Sequence, residues 1–148
     1  MRLSVLIIVG LLTLANVAHA QSPQAGWIAD AKTGCRVWNS YPDANLTVTW
    51  TGACVRGIAQ GKGVLRGFED GKPIGVYEGE YRDGKRTGHG VIVWANGGRY
   101  EGDWKDNQAN GVGRLTVSNG TYNGVWTAGC FKDGNRRASI GVDLATCP

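Results

Sequence analysis

The stretch YEGEYRDGKRTGHG, residues 77–90, returns 23 residues later as YEGDWKDNQANGVG, residues 100–113. Both copies open with two aromatic residues around a glycine, pass through a turn signal and close with Gly-x-Gly. A diverged copy begins at Trp50, and a shorter one begins at Tyr122. Repeats of this length predict a stacked architecture, in which each unit buries its apolar face against its neighbours.

Residue character alternates along each copy with a period of two. In the second full copy, Tyr100, Gly102 and Trp104 point to one side. The intervening Glu101 and Asp103 point to the other side. Turn dipeptides such as Asp-Gly and Asn-Gly separate the alternating segments. The sequence therefore predicts an all-β meander with about two strands per repeat, in which a ring of an adjacent strand lies flat over each bare glycine.

The run Tyr-Glu-Gly-Glu/Asp-Tyr/Trp, then Gly-Lys or its substitute, then Gly-x-Gly, resembles the MORN (membrane occupation and recognition nexus) repeat. The resemblance implies an elongated, twisted antiparallel sheet that acts as a scaffold or contacts membranes and partner proteins, without catalysis by the repeats. Two departures are visible: Cys54 replaces an aromatic residue, and the last copy lacks its second strand. The predicted repeat core consists of Trp50, Gly52, Tyr77, Gly79, Tyr81, Tyr100, Gly102, Trp104, Tyr122, Gly124 and Trp126.

The chain divides into four predicted segments. Residues 1–20 carry a cation, an apolar run and a terminal Ala-His-Ala, which is the layout of a cleaved secretory signal. We therefore expect a secreted or periplasmic protein. The remaining segments are an N-terminal cap at 21–48, MORN-like repeats at 49–128 and a C-terminal cap at 129–148. The repeat boundaries are expected at about 50–76, 77–99, 100–121 and 122–128.

All four cysteines follow the predicted signal: Cys35, Cys54, Cys130 and Cys147. An even number in this context predicts two disulfides, and no pair has the short spacing of a zinc site. In a regular stack, Cys54 and Cys130 would lie about 29 Å apart, beyond the about 7 Å that a disulfide spans. Joining Cys54 to Cys147 would require the tail to return along the whole sheet. The stack therefore favours Cys35–Cys54 and Cys130–Cys147, which close its two ends.

Several residues suggest chemistry that the repeat explains better. Residues 79–86 approach a phosphate-binding loop, but Arg86 stands where Ser or Thr is needed, and no helix is predicted to follow. His89 is the sole histidine after the predicted signal, without a nucleophile motif. The carboxylates at 78–80 and 101–103 lack calcium-loop spacing. We predict no catalytic residue, cofactor or metal, and a hydrolase of envelope polymers is the last alternative.

Charge and composition limit the classes of partner. Without Arg2, 15 basic and 12 acidic residues give a net charge of +3. Their signs alternate, whereas nucleic-acid binding usually needs a basic stripe. We predict a non-catalytic sheet surface that scaffolds or binds a protein or cell-envelope component, with peripheral binding of anionic membrane lipid as the alternative. The candidate binding surface consists of Arg82, Lys85, Arg86, Arg99, Lys105 and Arg114; all but Lys85 and Arg86 are expected on the solvated face.

Overall fold

The described part of the chain consists almost entirely of strands. The computed structural model describes residues 26–41 and 44–148, so the predicted signal at 1–20 lies outside it. Its strands are β1 (Gly26–Ala29), β2 (Arg36–Asn39), β3 (Leu46–Trp50), β4 (Ala53–Val55), β5 (Ile58–Glu69), β6 (Lys72–Arg82), β7 (Lys85–Trp94), β8 (Arg99–Lys105), β9 (Gln108–Val117), β10 (Gly120–Thr127), β11 (Cys130–Asp133) and β12 (Arg136–Ser139). A single 3-10 turn, Leu144–Thr146, follows β12. Within these residues, no helix has the length and apolarity to cross a membrane.

The strands form one open mixed sheet. From β5 to β12, each strand pairs antiparallel with the next, which confirms the predicted meander. β3 and β4 both pair with β5. One pair differs from the expected antiparallel pattern, because β2 runs parallel to β5 through Arg36 and Ile58. The disulfide between Cys35 and Cys54 explains this pairing, since it fixes the start of β2 beside the β4–β5 turn.

Both predicted disulfides are confirmed. Cys35 pairs with Cys54, and Cys130 pairs with Cys147. Their Cα atoms lie 5.8 and 5.6 Å apart, inside the usual range for a disulfide. The first bond joins the N-terminal cap to the first repeat, and the second lies within the C-terminal cap.

A continuous row of aromatic rings fills one side of the sheet, which we call the inner face. Neighbouring ring centroids are 4.8–5.5 Å apart, mostly in the edge-to-face geometry that aromatic pairs prefer. The opposite side, the outer face, carries the exposed charges, for example Glu101 and Arg114. The buried rings of the row are Trp50, Tyr77, Tyr81, Tyr100, Trp104 and Trp126.

The glycines make room for these rings. The sequence predicted that each glycine is covered by a ring of an adjacent strand, but in the structure a ring also covers the glycine of its own strand. Tyr77 lies over Gly79 of its own strand as well as Gly90 of β7, and a methyl group on either glycine would lie 2.4 Å from its hydroxyl oxygen. That hydroxyl donates a hydrogen bond to the Glu80 carbonyl, at 3.2 Å. The copies on either side repeat this bond to the third residue onward. Because the Tyr77 hydroxyl has its acceptor on its own strand, the ring is held over the glycine of that strand.

The two-residue turns of the repeats lie along one edge of the sheet, which we call the turn edge. In the first full repeat, Asp83 and Gly84 have φ angles of 50° and 75°. Positive φ at both positions is typical of the type I′ turn, whose twist matches that of the flanking strands. The turns of this edge occupy residues 56–57, 83–84, 106–107 and 128–129.

The caps run across this turn edge as well as closing the ends of the array. The backbone amides of Arg36 and Trp38 in β2 donate to the carbonyls of Gly57 and Gly84, at 3.0 and 2.8 Å. From the other end, Ile140 donates to the Gly129 carbonyl, at 2.8 Å. The turn edge is therefore where the caps and the repeats meet.

Candidate binding surface

Four of the six predicted cations line one open cleft at the turn edge, with a volume of about 620 Å³. Arg82 ends β6 and lies opposite Lys85, the first residue of β7. Lys105 ends β8, at the position that corresponds to Arg82 one repeat later. Arg86 is the fourth. The 23-residue repeat thus places cations of successive turns side by side, and we call this the turn-edge cleft.

The N-terminal hairpin adds an aromatic wall to the cleft. Trp27 of β1 and Trp38 of β2 form an edge-to-face pair, with ring centroids 5.5 Å apart and nearly perpendicular rings. Trp27 is 43% exposed, and the Lys85 ammonium lies 5.8 Å from the Trp38 ring centroid. The sequence analysis missed both rings because they lie in the cap, outside the repeat period. Two tryptophans within a short cap were the signal that could have revealed them.

Arg86 is the most firmly held of the cations. Its guanidinium carbon lies 4.8 Å from the Trp104 ring centroid and 5.7 Å from that of Tyr77, within cation–π distance. Its backbone amide and Nε both donate to the Asn107 side-chain oxygen, at 2.9 and 3.3 Å. Asn107 in turn donates from Nδ2 to the Trp38 carbonyl. This buried asparagine therefore fixes a cation and a wall of the cleft together.

The cleft has an excess of positive charge. Asp83 and Asp106 also line it, so four cations face two carboxylates. Among the residues that the structure describes, none of the four cations lies within ion-pair distance of a carboxylate. Asp83 instead accepts a hydrogen bond from the Gln60 amide, at 2.9 Å. A cleft with a net positive charge attracts ligands of opposite charge.

The other two predicted cations lie on the outer face, next to carboxylates. Arg99 pairs with Glu101 at 2.7 Å, and this hydrogen bond holds the pKa of the Glu101 carboxyl below its usual value. Arg114 lies directly across from Glu101 on β9. His89 completes the group, 3.5 Å from Asp103 and 3.9 Å from Glu101. The predicted surface of six cations is therefore two surfaces: the turn-edge cleft, with four cations and two carboxylates, and the outer face, with Arg99 and Arg114 beside Glu101.

The predicted repeat core serves packing. Burial raises the pKa of Tyr77 and Tyr81, and it raises that of Tyr100 to about 12, so all three hydroxyls stay protonated donors at neutral pH. Gly52 lies against the Trp50 ring, while half-buried Tyr122 and Gly124 pack against Phe131. In the described ranges, no group of three or more His, Cys, Asp or Glu side chains is placed to hold a metal.

Comparison with protein families matches the hairpins that build the cleft. Residues 77–99 and 100–122 each match the family model of the MORN repeat. No curated protein matches the chain. The four cleft cations lie inside the matched residues, whereas Trp27 and Trp38 lie outside them. The repeats thus supply the charge of the cleft, and the cap supplies its aromatic wall.

Proposed function

We propose that this chain, in which residues 77–99 and 100–122 match the MORN repeat, is a non-catalytic secreted or periplasmic protein whose turn-edge cleft binds a protein or cell-envelope partner. MORN repeats generally bind proteins or membrane lipids and do not catalyse reactions. The observation that carries the proposal is the convergence of Arg82, Lys85, Arg86 and Lys105 without ion-pair partners in the described residues. The two disulfides support an oxidising compartment.

The surroundings of His89 support a non-catalytic role. Its side chain is 63% exposed and, within the described residues, its polar contacts go to Glu101 and Asp103. A histidine that activates a protein nucleophile needs a hydroxyl or thiol within hydrogen-bond reach. The histidine here instead belongs to the mixed-charge surface of the outer face.

Rigidity of the cleft supports a binding role. The cleft is formed by hairpin turns, by a hairpin anchored by a disulfide and by Arg86, which packs against the Tyr77 and Trp104 rings. A surface that is already ordered loses little conformational entropy when a partner binds. The same arrangement suits a scaffold, since its charged groups keep fixed positions.

Retention by the envelope tests this proposal. The purified protein is incubated with a washed envelope fraction of its host, and the bound share is measured after sedimentation. Arg82→Glu/Lys105→Glu reverses two charges of the cleft, whereas Arg99→Glu/Arg114→Glu makes the same charge change on the outer face. We expect the first variant to lose retention and the second to keep it. Equal retention of both variants, or equal loss, would contradict a role for the cleft.

Anionic membrane lipid is the second candidate partner. The exposed Trp27 ring beside the cleft cations favours it, since tryptophan combines an apolar body with a polar tip that suits a membrane interface. Co-sedimentation with phosphatidylcholine vesicles, with and without phosphatidylglycerol, tests it. Binding to the anionic vesicles that Arg82→Glu/Lys105→Glu abolishes would support this candidate, and absence of binding would exclude it.

A further inference from the structure

We propose that the turn-edge cleft binds an anionic saccharide, with a sugar ring against Trp27 and acidic groups on Arg82 and Lys105. The inference rests on the proposed function, because it names the ligand class of the same cleft. Three features carry it: the spacing of the cations, the exposed aromatic wall beside them, and the fact that the turn backbone is already hydrogen-bonded.

The cations recur at a regular interval along the turn edge. Arg82 and Lys105 occupy equivalent positions at the ends of β6 and β8, with β7 between them. Two strand spacings separate them, which is about 10 Å. In a linear acidic saccharide, the acidic groups of every second sugar recur at a similar interval. Lys85, opposite Arg82, adds a second donor at the first of these two points.

The aromatic wall fits the remaining part of a sugar. A pyranose ring has an apolar C–H face and a polar rim. Trp27, 43% exposed, places an indole next to the cations of the cleft, and the Arg36 guanidinium lies over this indole, 5.6 Å from its centroid. An aromatic face takes the apolar side of the sugar, and the surrounding cations take its acidic groups, through charge-assisted hydrogen bonds.

The same cleft is poorly built for a peptide that binds as an added strand. Peptides that add to a sheet need free backbone groups at a strand edge. Here the Gly84 amide donates to the Ala59 carbonyl at 3.1 Å, and its carbonyl accepts from Trp38 at 2.8 Å. The backbone amide of Asn107 likewise donates to the Arg86 carbonyl, at 3.2 Å. Since these turn groups are occupied, the cleft offers side chains, and side chains that combine cations with a flat ring favour a saccharide.

Titration calorimetry with defined probes tests the inference on the purified protein. The probes are a galacturonic acid hexasaccharide, a neutral maltohexaose of equal length and a hexaglutamate peptide. We expect saturable binding of the galacturonate alone, weakening as salt rises because exposed charges are screened. Arg82→Ala/Lys105→Ala should lower the affinity by about tenfold or more, since each lost charge-assisted bond contributes substantially. The matched Arg99→Ala/Arg114→Ala control should stay within about twofold.

A variant of the ring separates saccharide recognition from simple charge attraction. Trp27→Leu keeps an apolar side chain but removes the aromatic face, so galacturonate binding, measured well below the melting temperature of each variant, should weaken about threefold or more. Trp27→Phe should rescue most of that loss. The inference would be overturned if hexaglutamate bound as tightly as galacturonate. It would also be overturned if neither Trp27→Leu nor Trp27→Phe changed the affinity for galacturonate.

The two tests fail in different ways. If no acidic saccharide binds but envelope retention still depends on Arg82 and Lys105, the ligand class is wrong and the binding role of the cleft stands. If retention is also independent of these two residues, both proposals fall.

Discussion

The backbone carbonyl of Trp38 accepts a hydrogen bond from the side-chain amide of Asn107, 69 residues further along the chain. Asn107 occupies the turn position that belongs to Gly84 in the preceding repeat, and it keeps the left-handed backbone of that position, with φ of 72°. Asparagine tolerates this conformation better than most residues. Its amide can therefore tie the cap to the second full repeat, which glycine could not do.

Asn107→Gly is expected to lower the free energy of unfolding by about 1–3 kcal/mol, because hydrogen bonds to the Arg86 and Trp38 backbones are lost while the turn is kept. Urea unfolding measures the loss. Asp106→Gly, which changes the exposed neighbour in the same turn, serves as the control. An Asn107→Gly protein as stable as the wild type would show that the asparagine does not join the cap to the repeats.

Trp104→Ala should cost about 3–5 kcal/mol, because it empties a buried site and removes the indole bond to the Gly90 carbonyl. Gly102→Val should cost about 1–3 kcal/mol or more, since a side chain there meets the Gly113 backbone and the Tyr100 hydroxyl. Glu101→Ala, on the outer face, should stay within about 0.5 kcal/mol. Denaturation midpoints decide, and three equal midpoints would refute the assignment of the two faces.

Asp30 should make stability depend on pH in the acid range. This buried carboxylate accepts backbone hydrogen bonds from Trp50 and Lys32, both at 2.8 Å, and chiefly the Trp50 bond holds its pKa below the ordinary value. The folded state therefore prefers the ionised form. The resulting stability is complete above the unfolded-state pKa of about 4 and is lost as pH falls through the lower folded-state value.

The comparison of wild type with Asp30→Asn isolates this contribution. Asparagine keeps the shape of the side chain but cannot titrate, and the other carboxylates remain in both proteins. The urea midpoint of the wild type should fall more between pH 6 and pH 2.5 than that of Asp30→Asn. Parallel pH profiles would exclude Asp30 as a source of acid sensitivity.

The Cys35–Cys54 disulfide should matter for both stability and binding. Cys35→Ser/Cys54→Ser is expected to lose about 3 kcal/mol, as a bond that closes a loop of this size typically contributes. It should also weaken ligand binding at the turn-edge cleft, because β2 carries Trp38. Cys130→Ser/Cys147→Ser should lose similar stability and keep the cleft. Melting temperatures and calorimetry measure the two effects, and equal binding losses would contradict this division.

Much of the fold follows from the repeat itself. The 23-residue period and the alternation around Tyr100 predict the strands, the meander and, through the length of the stack, both disulfides. The sequence predicted less well which glycine each aromatic ring covers. Period-two alternation gives the face on which Tyr77 lies, but not the direction of its ring, which depends on the hydrogen bond to the Glu80 carbonyl.

The site was harder to predict because it joins parts of the chain without a shared period. Arg82 and Lys105 could be found from the repeat, whereas Trp27 and Trp38 come from a cap with no pattern to extend. The parallel pairing of β2 with β5 brings them together, and it depends on the disulfide and on the contact to Asn107. Contacts of this sequence separation leave no local trace in the sequence.

The way the caps cross the turn edge also limits how this array can evolve. Arrays of identical units commonly grow or shrink by duplication, since each unit contacts only its neighbours. Here β2 reaches the turns at Gly57, Gly84 and Asn107 in order. One extra 23-residue unit before Asn107 would shift that turn by two strands, or about 10 Å, away from Trp38. The contacts of β2 therefore fix the number of repeats between the first turn and Asn107. A duplication inside this span would break the contact between the cap and Asn107.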